Sequence, residues 1–454
     1  MPPVSDATRL LSGWGRTAPS AAHLVEAHTD AEAADAVASV GSRGLVARGL
    51  GRGYGDCAQN AGGVVLDGPA NSGIVDIDLP GARVTARAGT SLHELMERLV
   101  PLGLFVPVTP GTRMVTVGGA IAADIHGKNH HRAGSFCNHV ESMRLLDGNG
   151  DIRTLTPTEH PEEFWATAGG MGLTGVVLEA TIRMKPITSS RLRVDTDRAD
   201  DLDAVMALMV EGDDRYDYSV AWIDLLARGA SMGRSVLDRG SFATEEEVTA
   251  EGIRQPLEFA TSQLPSPPDI VPSGLLNRAT IMAFNELWFR KAPASRRDAL
   301  MSIEAFFHPL DMIAEWNRIY GKRGFLQWQC VVPDEGHEVI RNAVGRLSGA
   351  GISSFLAVLK RMGDRNGGHL SFPIRGWTLA LDMPVTPGLG PLLDELDEAV
   401  VDAGGRIYLA KDSRVRPELI PLMYPRLEQW REVRSKLDPA GRIHSDLARR
   451  LSLS

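Results

Sequence analysis

Residues 111–131, GTRMVTVGGAIAADIHGKNHH, constrain the fold more than any other stretch of the chain. Glycine lacks the Cβ that blocks close backbone approach, so Gly111, Gly118 and Gly119 mark places where main-chain amides can lie directly against a neighbour. Ala120, Ala122 and Ala123 keep the wall that follows thin. The same residues also fit a tight turn feeding a buried strand. Both readings put the segment inside a packed layer and differ only in whether its neighbour is a ligand.

A chain of 454 residues exceeds one ordinary core and points to two or three units. Its net charge of -9 argues against a nucleic-acid partner, which needs a basic surface. Cys57, Cys137 and Cys330 are scattered with no CxxC pair, which disfavours a disulfide framework or a cysteine zinc site. The opening MPPVSDATRLLSGWGRTAPS lacks the apolar core of a signal peptide, and no run reaches the roughly 18 apolar residues of a spanning helix. These features predict a cytoplasmic chain, with peripheral membrane contact, the periplasmic face included, left open.

Asp30 can cap a helix reaching residue 40, and RGLGRGYGDCAQN follows a short strand. Gly49, Gly51, Gly53 and Gly55 alternate there, which is not the GxGxxG dinucleotide fingerprint, since the spacing differs and no helix opens. Such a loop can turn a row of amides toward a pyrophosphate, and it equally fits a flexible surface loop. GARVTARAG alternates as a strand, Ser91 and Glu94 form a capping box for a helix burying Leu92, Leu95, Met96 and Leu99, and Val177 opens an alternating strand. Residues 1–186 therefore form one ligand-binding unit.

His126 and His130 have i,i+4 spacing, with His131 and His139 nearby, but Gly127 and Asn129 make a continuous helix there improbable, so no metal is assigned. Past Pro186 the glycine loops give way to polar and aromatic segments, and residues 187–403 read as a second domain. In GFLQWQCVVP, Gln327 and Gln329 share one face and Trp328 and Cys330 the other. Paired amides suit a polyhydroxylated sugar, or belong to an ordinary solvent-facing strand. QLPSPPDIVPSGLLNR reads as a mobile surface loop; its Ile270, Val271, Leu275 and Leu276 suit a lipid chain or membrane surface, or packing on their own domain. Residues 404–454 return to the first domain through a strand ending in Lys411.

RGLGRGYGDCAQN, PGTRMVTVGGAIAADIHGKNHH and GGMGLTGVVLEATI, in this order, resemble the FAD-binding domain of the vanillyl-alcohol oxidase (PCMH) type. DIHGKNHH, FWAT, EWNRIYG, FLQWQ, LSFPI, YLAKDSR and DPAGRIHSDLARRL extend the likeness over nearly the whole chain, to the decaprenylphosphoryl-β-D-ribose oxidase family of actinobacterial cell-wall synthesis. The resemblance implies an α+β fold, with an FAD-binding domain split between the chain ends and an inserted substrate domain on an antiparallel sheet. It implies noncovalent FAD, because Tyr54 stands where covalent members often carry a flavin-linked histidine.

The cofactor residues it implies are Ala47, Arg48, Gly49, Leu50, Gly51, Arg52, Gly53, Tyr54, Gly55, Asp56, Cys57, Gly111, Thr116, Val117, Gly118, Gly119, Ala123, Asp124, Ile125, His126, Val177 and Tyr408. Lys411 is assigned the electrostatics of the flavin and hydroxyl, with Tyr54 and His126 positioning; Lys128, Trp222, Gln327, Gln329, Lys360, Thr378 and Ala380 are assigned to substrate. Close relatives commonly carry cysteine at the position of Ala380, so the thiol that traps nitroso electrophiles is missing here. The implied reaction oxidises the 2-hydroxyl of a polyprenylphosphoryl ribose to a 2-keto sugar, which a separate NAD-dependent reductase completes to the arabinose epimer. A soluble alditol or aldonolactone oxidase of the same fold, and a non-catalytic flavin-binding module, are the alternatives.

Overall fold

The computed structural model describes residues 8–453. Three larger sheets carry the chain, beside a two-stranded pairing of Leu104–Phe105 with Lys185–Pro186. The first orders Thr8–Leu11, Ser20–Glu26, Val64–Asp67 and Leu45–Arg48, with parallel pairing among the last three. The second is antiparallel, in the order Ile74–Asp78, Arg83–Arg87, Val176–Arg183, Val140–Leu146 and Ile152–Leu155. Alternation in Arg83–Arg87 buries Val84 and Ala86. Beside it, Leu92–Leu99 starts at a capping box in which Ser91 Oγ accepts from the Glu94 amide at 3.1 Å, and the helix buries the four apolar residues expected of it.

The third sheet is eight-stranded and antiparallel throughout: Ser295–Ser302, Arg191–Ala199, Ser235–Phe242, Tyr218–Ile223, Ala357–Met362, Gly376–Pro384, Phe325–Val332 and Arg406–Ile407. Mixed helices and antiparallel sheets make the chain α+β. The C-terminal tail closes on the first sheet, the Leu45 amide donating to the Arg442 carbonyl at 2.7 Å and the His444 amide to the Leu45 carbonyl at 2.9 Å.

Several elements differ from expectation. The first helix is Asp30–Ala38, and Thr29 rather than Asp30 caps it, since the Thr29 side chain accepts from the Glu32 amide. The double glycine feeds no strand: Thr116 caps the short helix Val117–Ala122, accepting from the Gly119 amide at 3.1 Å. Lys411 is not in a strand. Pairing ends at Ile407, and the chain folds into a turn in which the Lys411 amide donates to the Tyr408 carbonyl at 2.9 Å. Asp412 locks that turn by accepting from the amides of Arg414 and Val415. The turn presses on the glycine loop so closely that a Cβ on Gly55 would lie 1.9 Å from the Asp412 carbonyl oxygen. Only glycine fits there.

Past the proline-rich segment lies a helix that the sequence pattern hid, Arg278–Lys291, capped by Asn277. Ile270 and Leu275 are exposed, whereas Leu276 packs on the aromatic cluster of Trp14, Tyr54, Trp316, Tyr320 and Phe325.

Candidate active site

Strand register assembles one wall of the site. Gln327 pairs with Asp382, Gln329 with Ala380, Val358 with Ala380, Lys360 with Thr378, and Trp222 with Val358. Residues paired across antiparallel strands project to the same face, and alternate residues share it. Trp222, Lys360, Thr378, Ala380, Gln327 and Gln329 therefore stand on one face of the large sheet, together with Asp382. The solvent-facing alternative for the glutamines fails, because both are buried. Gln329 Nε2 lies 3.1 Å from Thr378 Oγ1 and 2.9 Å from His126 Nε2, and Gln327 Nε2 donates to Asp382. The Trp222 indole N–H donates to the Phe355 carbonyl at 3.2 Å, and the fully buried Thr378 hydroxyl donates to the Cys330 carbonyl at 2.8 Å.

Facing this wall is the segment after the glycine pair. His126 packs tilted against Phe372 and Tyr408, at ring-centroid distances of 5.7 and 5.5 Å, and the Tyr408 hydroxyl donates to the Ala123 carbonyl at 2.9 Å. Burial, then the Lys360, His130 and Lys411 charges, push the His126 pKa well below the ordinary imidazole value, so the ring is neutral. Its Nδ1 lies 3.3 Å from Lys360 Nζ. A neutral imidazole accepts at one nitrogen only. If Lys360 is an ammonium, Nδ1 accepts and Nε2–H must meet the Gln329 carbonyl oxygen; if Lys360 is an amine, the ring proton sits on Nδ1 and the Gln329 amide N–H donates to Nε2. The protonation of Lys360 and the amide orientation of Gln329 are thus linked.

Lys360 is an unusual cation. Burial, with the Lys128 and Lys411 charges, pushes its pKa down to about 7. Lys128 is pushed down to about 8 by burial, its ammonium donating to the Phe306 carbonyl and lying over the Phe306 ring at 4.5 Å. Lys411 lies over the Tyr54 ring at 4.1 Å, and burial lowers its pKa against the opposing pull of Asp382. Burial raises the Asp382 pKa in turn, with Gln327, Lys411 and the nearby Tyr54 phenol opposing, and no well-formed hydrogen bond reaches its Oδ2 among the described residues. Burial and the Asp382 charge hold the Tyr54 phenol protonated. Sequence reading missed Asp382, although alternation along Thr378, Ala380 and Asp382 was the signal for it.

The remaining candidates divide. His130, His131 and His139 are engaged with Ser135 and the Gly363 amide, the Tyr216 carbonyl and the Ala133 carbonyl respectively, and the described residues hold no cluster of three metal-ligating side chains. Asp124 is buried at φ 39°, accepting from the Cys137 amide, Asn366 and Ser371, so it braces the loop and leaves Ile125 in the core. Val177 lies on the second sheet, on the strand against which the Val117–Ala122 helix packs. Burial pushes the Cys57 thiol up to about 11 and Cys330 up to about 12, and raises Cys137 as well, so none is a ready nucleophile.

The glycine loop offers a distinct donor set. The Tyr54 amide donates to the Ala410 carbonyl at 3.0 Å, but the amides of Gly49, Leu50, Gly51, Arg52 and Gly53 donate to no protein acceptor among the described residues. Arg48 and Arg52 flank them half-buried with no carboxylate in ion-pair reach; Arg48 donates to the carbonyls of Ser12 and Ala58, and Arg52 lies over the Trp14 ring at 4.0 Å. Free amides and unpaired guanidinium groups along one loop fit the pyrophosphate of a dinucleotide. A Cβ on Gly111 would meet nothing within 4 Å, whereas one on Gly119 would lie 3.1 Å from Thr116 Oγ1.

Comparison with known proteins agrees with this donor set. Residues 21–156 match the FAD binding domain family model. The chain is 47% identical over 452 residues, 98% of each chain, to the decaprenylphosphoryl-beta-D-ribose oxidase of Mycolicibacterium smegmatis. The chain belongs to the decaprenylphosphoryl-β-D-ribose oxidase family. It is also 44% identical to an uncharacterized protein of Streptomyces coelicolor, over 80% of this chain and all of that one. A probable L-gulonolactone oxidase of Arabidopsis thaliana is 26% identical over 30% of this chain and 24% of its own. As a member of the decaprenylphosphoryl-β-D-ribose oxidase family, the chain is an FAD-dependent oxidoreductase. Contrary to the sequence expectation, the amides around the double glycine are spent within the protein, Val117 donating to the Thr90 carbonyl, Gly118 to the Ala88 carbonyl and Gly119 to Thr116 Oγ1, so the free amides are those of residues 49–53.

With Tyr54 in the glycine loop and its phenol kept protonated by burial, no histidyl bond to the flavin is available there. Acid precipitation of the purified holoprotein should leave all the flavin in the supernatant. Yellow precipitate that keeps its flavin through washing would contradict this.

Proposed function

We propose that the chain oxidises the 2-hydroxyl of decaprenylphosphoryl-β-D-ribose to the 2-keto sugar, with residues 187–403 forming the substrate domain. The observation that carries this reading is the buried wall of Gln327, Gln329, Thr378 and Asp382 ringed by Lys128, Lys360 and Lys411. Amides, a hydroxyl and a carboxylate match the hydroxyls of a sugar, and surplus buried positive charge matches a phosphate. The name of the Mycolicibacterium smegmatis relative points the same way.

FAD, when bound, accepts the hydride released by the alcohol carbon. The chain supplies the rest. Asp382, with its unpartnered Oδ2 and raised pKa, takes the hydroxyl proton. Lys411, fixed over Tyr54, stabilises negative charge as it develops. Gln329 and His126 orient the ring, while Lys128 and Lys360 hold the phosphate. The 2-keto product then needs a hydride-donating reductase to become the epimer, and an NAD-dependent partner fills that place.

The lipid tail needs an exit. No helix among the described residues is long and apolar enough to cross a membrane. Helix Arg278–Lys291 exposes Met282, Phe284, Leu287 and Trp288, and Ile270 nearby is 84% exposed. Phe284 contacts Phe355, which reaches Tyr320 and Trp316, and Tyr320 stacks on Phe325 beside Tyr54. This apolar track runs from the exposed helix to the site. Arg278 and Lys291 stand at the helix ends, while Arg290 is paired with Glu286, so the occupant is an anionic bilayer surface.

Lys411→Ala should lower kcat roughly 10²–10³-fold in FAD-loaded protein, the loss typical of one preorganised donor at a developing anion. The 2-keto product, trapped by borodeuteride and identified by mass spectrometry, measures the rate, and a near-normal rate removes Lys411 from the chemistry. In flotation with phosphatidylglycerol vesicles, the wild-type chain should rise with the lipid and a Leu287→Glu, Trp288→Glu variant should not. Equal flotation of the two would show that this helix is not the docking face.

A further inference from the structure

We infer that Arg450, in the last helical turn of the chain, is the positioning residue that sets Lys411 against Tyr54 and shapes the flavin loop. The inference rests on Lys411 acting beside the flavin, and it concerns a residue that lies 39 positions further along the chain.

The short helix Asp446–Arg450 is seated directly on the end of the glycine loop. The Asp446 amide donates to the Gln59 carbonyl at 2.8 Å, and the Asp446 carboxylate accepts from the Ala61 amide at 2.9 Å. Arg449 donates to Asn60 Oδ1 at 2.6 Å. Beyond these, Arg450 reaches two elements at once. Its Nε and Nη2 donate to Asp56 at 2.9 and 2.8 Å in a bidentate fork, and its Nη1 donates to Asp412 Oδ2 at 2.8 Å. Asp56 stands two residues after Tyr54, and Asp412 directly follows Lys411.

One planar guanidinium thus fixes the spacing between the two strips of chain that carry the stacked pair. The side-chain exposures are 25% for Arg450, 18% for Asp56 and 1% for Asp412, so solvent screens the triad poorly. Without the arginine, two carboxylates would face each other across a contact that already brings the Asp412 carbonyl against Gly55. The Tyr54 amide bond to the Ala410 carbonyl is the remaining tie between these strips, and it does not fix the Lys411 side chain. A lysine keeps the charge but lacks the fork, so it can engage one carboxylate well and not both.

The test titrates apoprotein with FAD and measures turnover at saturating FAD. Arg450→Ala should weaken FAD binding by about tenfold or more, the scale expected for breaking a poorly screened charge pair, and should also lower kcat when FAD is saturating. Arg450→Lys should restore thermal stability and most of the FAD affinity while leaving kcat depressed. If Arg450→Ala does not fold, Asp412→Asn, which keeps the turn's side-chain acceptor oxygen and removes the charged partner of Arg450 Nη1 while leaving the fork to Asp56, should show the same drop in kcat with wild-type stability. Wild-type FAD affinity and kcat in the arginine or asparagine variant, with Lys411→Ala still impaired, would overturn this inference alone. A kcat restored fully by excess FAD would also overturn it. A normal rate in Lys411→Ala would instead remove the reading on which it rests.

Discussion

Three lysines are buried close enough to repel one another, with two carboxylates opposing them, Asp382 toward Lys411 and Asp238 toward Lys128. Burial disfavours the charged form of each lysine, and each neighbouring ammonium adds to the cost. Besides those carboxylates, the protein offsets part of it with groups that carry no full negative charge: the Phe306 carbonyl and ring beneath Lys128, the Tyr54 ring beneath Lys411, and a neutral imidazole beside Lys360. The pocket keeps a surplus of unsatisfied positive potential. On the proposed reading, an anionic, polyhydroxylated ligand relieves it, so that the arrangement that destabilises the empty site would also select the substrate.

The scaffold explains how those lysines arrive together. Lys128 comes from the segment after the double glycine, Lys360 from the middle of the eight-stranded sheet and Lys411 from the turn after its last strand. Two close approaches hold these sources in place. One packs the turn at Asp412 against Gly55, and the other packs His126, tilted, against Tyr408 and Phe372. Buried Arg113, whose amide donates to Asp311 at 2.7 Å and whose guanidinium donates to Glu304, ties the loop leading into the double glycine to residues 303–311.

Local chemistry was legible in the sequence. The Ser91–Glu94 capping box, the alternating glycines and the shared face of Gln327 and Gln329 depend on neighbours a few positions apart, and each appears in the structure. What depended on distant partners was not. Nothing in GGRIYLAKDSR shows that pairing stops at Ile407, because the partner strand ends elsewhere in the chain, so Lys411 read as a strand residue. Asp382 shares a face with Ala380 but gains its meaning only from Lys411 and Gln327. Arg278–Lys291 was masked by the prolines before it and by an apolar pattern that serves an exposed face as well as a buried one. The pairing of Arg450 with Asp56 joins opposite ends of the chain and leaves no local pattern.

The central claim is that the buried cationic wall selects a lipid-linked phosphorylated ribose and removes a hydride from it. Its most direct test is anaerobic mixing of the FAD-loaded protein with decaprenylphosphoryl-β-D-ribose and, separately, with free alditols and aldonolactones. The account predicts complete loss of the oxidised flavin's visible absorbance with the lipid-linked ribose at one equivalent per flavin, and no loss with the free sugars. Bleaching by free alditols or aldonolactones with none by the lipid-linked ribose would contradict it.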